Sequence, residues 1–168
     1  MLKKLSKNVE KFASFLEQVN KAVAIALMVV LICIVFFQVS SRVFTGKSFV
    51  WIEELSIVLA AWLGFLTLAY SAKRTVHVRI DVFSSKLPQR AQEVLSTVIC
   101  LCTLIAAVYL VRYGWQIAMR KMRVPLMVLP FPSGVQYVSF PVGMALLVVY
   151  LFDHLLEHLV KALDKGEA

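Results

Sequence analysis

The sequence predicts an all-α integral membrane protein, with four transmembrane helices behind an N-terminal amphipathic interfacial helix. Four uncharged runs carry that prediction: residues 22–41 (20 residues), 55–72 (18), 94–111 (18) and 124–152 (29). A helix rises about 1.5 Å per residue, so about 20 residues cover a hydrocarbon core ~30 Å thick. In lipid every backbone group needs an internal partner, which leaves helices and closed barrels. The runs lack the alternating polarity of barrel strands, so helices remain.

Composition agrees. The chain is 60% hydrophobic and 17% charged. The spans fall at about 22–42, 50–72, 91–117 and 134–158, behind an amphipathic helix at 2–20, so residues 1–168 form one membrane domain. A net charge of +8 would suggest nucleic acid in a soluble protein. Here the cations sit in the connections, where they set orientation and meet anionic lipid, and no nucleic-acid partner is expected. Lys and Arg number five before span one (Lys3, Lys4, Lys7, Lys11, Lys21) and two in the first turn (Arg42, Lys47). Five more lie in the second connection (Lys73, Arg74, Arg79, Lys86, Arg90), four around the third (Arg112, Arg120, Lys121, Arg123) and two in the tail (Lys161, Lys165). With both termini inside, the cytoplasmic side holds twelve and the far side six, so the positive-inside rule favours that orientation.

Leu2, Leu5, Val9, Phe12, Leu16 and Val19 recur at steps of three and four, with lysines between them. That pattern suits a helix lying along the membrane surface before the chain turns into span one, or docking on a soluble partner. No small-x-small cleavage site follows the first run, so it reads as a retained signal anchor. The turn after Arg42 is short, which makes helices one and two antiparallel neighbours. Trp51 then meets the interface. Glu53 and Glu54 complement the positive start of helix two and reach toward Arg42 and Lys47, as a solvated cluster or as a fixed ionic contact.

Helix two carries small residues at Ser56, Ala60, Gly64, Thr67 and Ser71; helix three repeats this at Ser96, Cys100, Thr103, Ala107 and Gly114. Such stripes let helices approach closely in lipid, either each other or a partner. In the second connection Val76, Val78, Ile80 and Val82 alternate with polar residues. We read an extended interfacial stretch there, then a short helix ending before Pro88, which suits the first turn of helix three. The third connection, 124–132, holds three prolines and is otherwise apolar, so it is irregular and dips into the interface or packs on another protein. Ser133 and Gln136 have capping-box spacing for helix four, and Pro141 is expected to kink that helix.

No catalytic constellation emerges. Cys33, Cys100 and Cys102 lie in apolar runs and read as small buried hydrophobes. His154-Leu-Leu-Glu-His158 matches the H-x-x-E-H pattern, but only ten residues follow to supply a third ligand and a cleft. It reads as the polar inner end of helix four, and no metal or other cofactor is expected. The three histidines all fall near the inner surface, which does not suit haem inside the bundle. No ionisable residue interrupts the four runs, as an autonomous ion-coupled exporter would require.

An ordered set of short matches resembles the small membrane subunit (DctQ type) of the tripartite ATP-independent periplasmic, or TRAP, transporters. It starts at Arg42 and runs through Trp51-Ile-Glu-Glu-Leu55, Trp62-Leu-Gly-Phe65, Lys73-Arg-Thr-Val-His-Val-Arg-Ile-Asp81 and Leu87-Pro88. Pro130-Phe-Pro-Ser-Gly134 and Pro141-Val-Gly143 complete it. The resemblance implies a non-enzymatic scaffold in the bacterial inner membrane. It would brace a large multi-spanning subunit that carries the substrate and sodium sites, and help dock a periplasmic binding protein. Partner or lipid contacts are expected at Arg42, Lys47, Trp51, Glu53, Glu54, Gly64, Lys73, Arg74, His77, Asp81, Pro130 and Phe131. The overall pattern is similar to small subunits of sialic acid uptake systems, so sialic acid is the first expectation and a C4-dicarboxylate the second. The competing class is a four-helix assembly factor or a membrane-anchor subunit of an unrelated enzyme.

Overall fold

The computed structural model describes the backbone of residues 2–84 and 89–166 and the side chains of residues 9, 11–72, 98–153 and 155–156. Four helices follow in order: α1 (Leu2–Thr45), α2 (Val50–Ser84), α3 (Gln89–Lys121) and α4 (Gly134–Gly166). Each contains a stretch long and apolar enough to cross a membrane. No strand forms among the described residues beyond an isolated bridge between Pro125 and Pro132. The chain is therefore an all-helical, multi-pass membrane protein.

Two elements differ from the sequence reading. No turn separates residues 2–20 from span one, because α1 is one helix of 44 residues with no glycine or proline to break it. The valine alternation after Lys73 does not produce an extended stretch; α2 continues as helix to Ser84. A lone extended segment would leave its amides and carbonyls without partners, whereas a helix satisfies them within itself. Pro88 lies outside the described residues, and the described part of α3 starts one residue after it.

α4 is the central element. It packs against each of the other three helices, while α2 and α3 barely meet. Of the most apolar window of each span, 39% is buried in α4, 17% in α3, 11% in α2 and none in α1. The core draws Ala13 from α1, Ala69 from α2, Cys100 and Ala107 from α3, and Met144, Leu147, Tyr150 and Leu151 from α4. Small residues dominate three of those helices, which lets their backbones close on the larger side chains of α4.

The close approaches mark where α4 is held. A Cβ on Gly143 would fall 2.7 Å from the Phe65 carbonyl oxygen, and one on Gly114 would strike the Phe140 ring. The Phe140 ring in turn meets Phe65 edge-on, with centroids 5.1 Å apart. Trp62 Nε1 donates to the Val135 carbonyl at 3.1 Å, which ties α2 to the first turn of α4. Lower down, buried Asn20 donates through Nδ2 to the Leu66 carbonyl at 3.1 Å and lies beside Tyr150. That polar tie fixes where α1 crosses α2 and α4. Pro141 is buried within α4, which runs helical on both sides of it.

Candidate partner-binding surfaces

Both tight connections, 46–49 and 122–133, lie at the same end of the molecule, the turn end. Gly46 ends α1 with a positive φ of 67° while its N–H reaches the Arg42 carbonyl at 3.1 Å. A left-handed residue that returns its amide to the last turn is a common helix stop, and glycine adopts it without a Cβ penalty. Arg42 reaches Ser48 across this turn at 3.5 Å.

Glu54 is the organising side chain. Its carboxylate accepts the backbone N–H groups of Met127, Val128 (3.0 Å) and Leu129 (2.8 Å), three consecutive amides of the apolar loop. Such amides converge as a small anion site, and a carboxylate fills it with charge-assisted bonds. The loop closes on itself through Leu126 N–H to the Phe131 carbonyl (3.0 Å) and Ser133 N–H to the Val124 carbonyl (2.8 Å). The Ser133 hydroxyl, expected to cap α4, instead donates to the Lys121 carbonyl at 3.2 Å. Lys121 ends α3, where carbonyls lack helical donors, so the hydroxyl satisfies one of those.

The loop is thus fixed in shape yet turned outward. Met127 is 96% exposed, Phe131 54% and Val128 51%, and Pro130 is exposed as well. Beside it on the α1–α2 turn, Phe44 is 86% exposed, Val43 74% and Trp51 43%. Arg42, Lys47, Arg120, Lys121 and Arg123 are exposed around this apolar crown. Glu53 is exposed, and no hydrogen-bond partner falls to it among the described residues. The two adjacent glutamates therefore separate: Glu54 holds the chain's own loop, and Glu53 faces outward.

The stripes also separate. Cys100, Ala107, Gly114 and Ala118 of α3 are buried against α4, with Thr103 exposed. On α2, Ala60, Gly64, Thr67 and Ser71 are exposed and Ser56 is half-buried. A Cβ at Gly64 would meet nothing within 4 Å. The stripes do not meet each other, because α4 lies between their helices. Gly143, which approaches the α2 backbone closely, entered the sequence reading only within the Pro141-Val-Gly143 match.

Arg112, which the sequence reading put near the far end of span three, sits inside that helix. The third uncharged run stops at Val111, but α3 continues for ten more residues, so Arg112 is flanked on both sides by the apolar span Val98–Lys121. The side chains of Lys73, Arg74, His77, Asp81, His154, Glu157 and His158 lie outside the described residues. Among the described residues no cluster of three metal-binding side chains occurs.

Residues 31–161 match the family model of the DctQ component of tripartite ATP-independent periplasmic transporters. The chain is similar to the sialic acid TRAP transporter small permease protein SiaQ of Vibrio cholerae, 28% identical over 85% of this chain and 77% of that protein. It is also similar to a putative TRAP transporter small permease protein of Haemophilus influenzae, 26% identical over 62% of each chain. The isethionate TRAP transporter permease protein DctMQ of Oleidesulfovibrio alaskensis is 24% identical over 81% of this chain, which spans only 23% of its length. Four helices long and apolar enough to cross a membrane agree with these matches. The chain belongs to the DctQ family, the small membrane components of TRAP transporters.

Proposed function

We propose that this subunit is a scaffold for the large multi-spanning permease of a sodium-coupled TRAP transporter, and that it helps seat the periplasmic binding protein. The observation that carries the reading is the distribution of covered and open faces. α4 packs against all three other helices and is the most covered, whereas α1 buries none of its most apolar window and α2 leaves Ala60, Gly64 and Thr67 open. Small residues open to the membrane offer little to lipid and much to a closely approaching helix. Support also comes from the longer DctMQ relative, in which a segment matching this chain occupies a minor part of one polypeptide.

In this reading the turn end faces the periplasm and both termini the cytoplasm of a bacterial inner membrane. The apolar crown around Met127, Pro130 and Phe131, with Trp51 and Phe44 beside it, is covered by the large subunit and the docked binding protein. The lysines at the start of α1 meet the anionic inner leaflet. Sialic acid is the first substrate proposed, on the similarity to the Vibrio cholerae protein, with a C4-dicarboxylate second. Substrate and sodium sites belong to the large subunit. The test is isolation of the tagged chain from its native membrane, with a cysteine at Gly64 as a cross-linking probe. A large permease should co-purify and cross-link through that cysteine. Recovery of the chain alone, or with a haem- or quinone-bearing enzyme, would reject the scaffold role.

A further inference from the structure

We propose that the trough between α3 and α4 beside Arg112 is a phospholipid site, in which the guanidinium takes the phosphate and the trough takes an acyl chain. The trough has a volume of about 420 Å³, and its walls are almost wholly apolar. Val111 and Trp115 form one side, Pro141, Val142 and Ala145 the other, and Arg112 and Gln116 stand one turn apart on α3 at its edge. It exists because α4 presents short side chains here: proline, valine and alanine leave space that a leucine or phenylalanine would fill.

The charge decides the occupant. Arg112 is exposed, nine residues before the end of α3, and no ion-pair or hydrogen-bond partner reaches it among the described residues. Arginine stays protonated, so burial in lipid does not neutralise it, and a counter-anion must reach this height. Its Cα–Cβ bond tilts toward the helix N-terminus, away from the nearer membrane boundary, which limits escape by snorkelling. Tyr109, Tyr113 and Trp115 are all exposed on the same part of α3, and aromatic side chains of this kind collect at headgroup level. Phosphodiesters lie at that level, with acyl chains running from them along the protein. A planar guanidinium takes two phosphate oxygens at once, and the Gln116 amide one turn away adds a donor. Phosphate, glycerol backbone and chain then fit edge and trough in that order.

The measurement is native mass spectrometry of the full chain in mild detergent, titrated with dioleoylphosphatidylglycerol and, in parallel, with dioleoylglycerol. The site predicts one tightly held phosphatidylglycerol and weak retention of the phosphate-free lipid. Arg112→Gln should weaken retention at least ten-fold, and Arg112→Lys less. Ala145→Trp, which fills the trough and keeps the charge, should also weaken it, whereas Arg123→Gln in the turn-end loop should not. Helical content by circular dichroism separates loss of the site from loss of fold. Equal retention of both lipids, or unchanged retention in Arg112→Gln and Ala145→Trp, would overturn the proposal. So would a cysteine at position 112 that cross-links in the assembled complex to a carboxylate-bearing helix of the large subunit, since the charge would then be met by protein.

Discussion

Glu53 and Glu54 occupy adjacent positions and do different work. A carboxylate holding three consecutive amides makes a stronger contact than three neutral bonds, and its loss releases the loop from α2. Glu54→Gln offers one acceptor oxygen and an unwanted donor, so we expect a lower melting temperature than that of the parent. Amide exchange should accelerate at residues 127–129. Glu53→Gln should stay within about 0.5 kcal/mol of the parent, as for an exposed residue without a partner. Equal effects of the two changes would remove the distinction. The sequence reading aimed both acids at Arg42 and Lys47, as a solvated cluster or a fixed ionic contact. The partners of Glu54 are backbone amides more than 70 positions later, and amides have no signature in side-chain spacing. Arg112 shows the converse difficulty: a run counted by charge stops where a charge appears, although the helix continues.

At the scale of elements, glycine positions test which faces are closed within the chain. Gly143→Ala would drive a methyl group onto the Phe65 backbone, which cannot move without shifting α2, so we expect about 1–3 kcal/mol of destabilisation. Gly114→Ala strikes the Phe140 ring, with Pro141 at ordinary contact distance, and should cost less, because the ring can swing at the expense of its contact with Phe65. Gly64→Leu has open space around it and should leave the melting of the isolated chain unchanged while weakening recovery of the large subunit. A loss of isolated-chain stability in Gly64→Leu would mean that this face is closed internally. The four helices themselves were legible, because uncharged length is a direct consequence of bilayer thickness. Which small-residue stripe is internal was not, since both recur at helical steps and only the central position of α4 separates them. The alternation of Val76, Val78, Ile80 and Val82 misled for a related reason: period-two patterning predicts a strand only where a neighbouring strand exists.

For the whole molecule, the asymmetric charge distribution and the open arrangement around α4 set the expectations. In the proposed orientation twelve cations lie inside and six at the turn end outside, as the positive-inside rule favours. In a background lacking the three native cysteines, single cysteines at Thr45 and Ser133 should react with an impermeant reagent in intact cells, and one at Ser85 should not. Labelling at Ser85 would reverse the orientation. The central claim is that this chain braces a transporter and moves no solute itself. It tests most directly in liposomes under a sodium gradient, with radiolabelled sialic acid and a C4-dicarboxylate as alternative solutes. The chain is assayed alone, with its large subunit, and with the binding protein added. Uptake is expected only when all three components are present, and none by this chain alone. Uptake by the chain alone, or full uptake by the large subunit and binding protein without it, would rule out the bracing role.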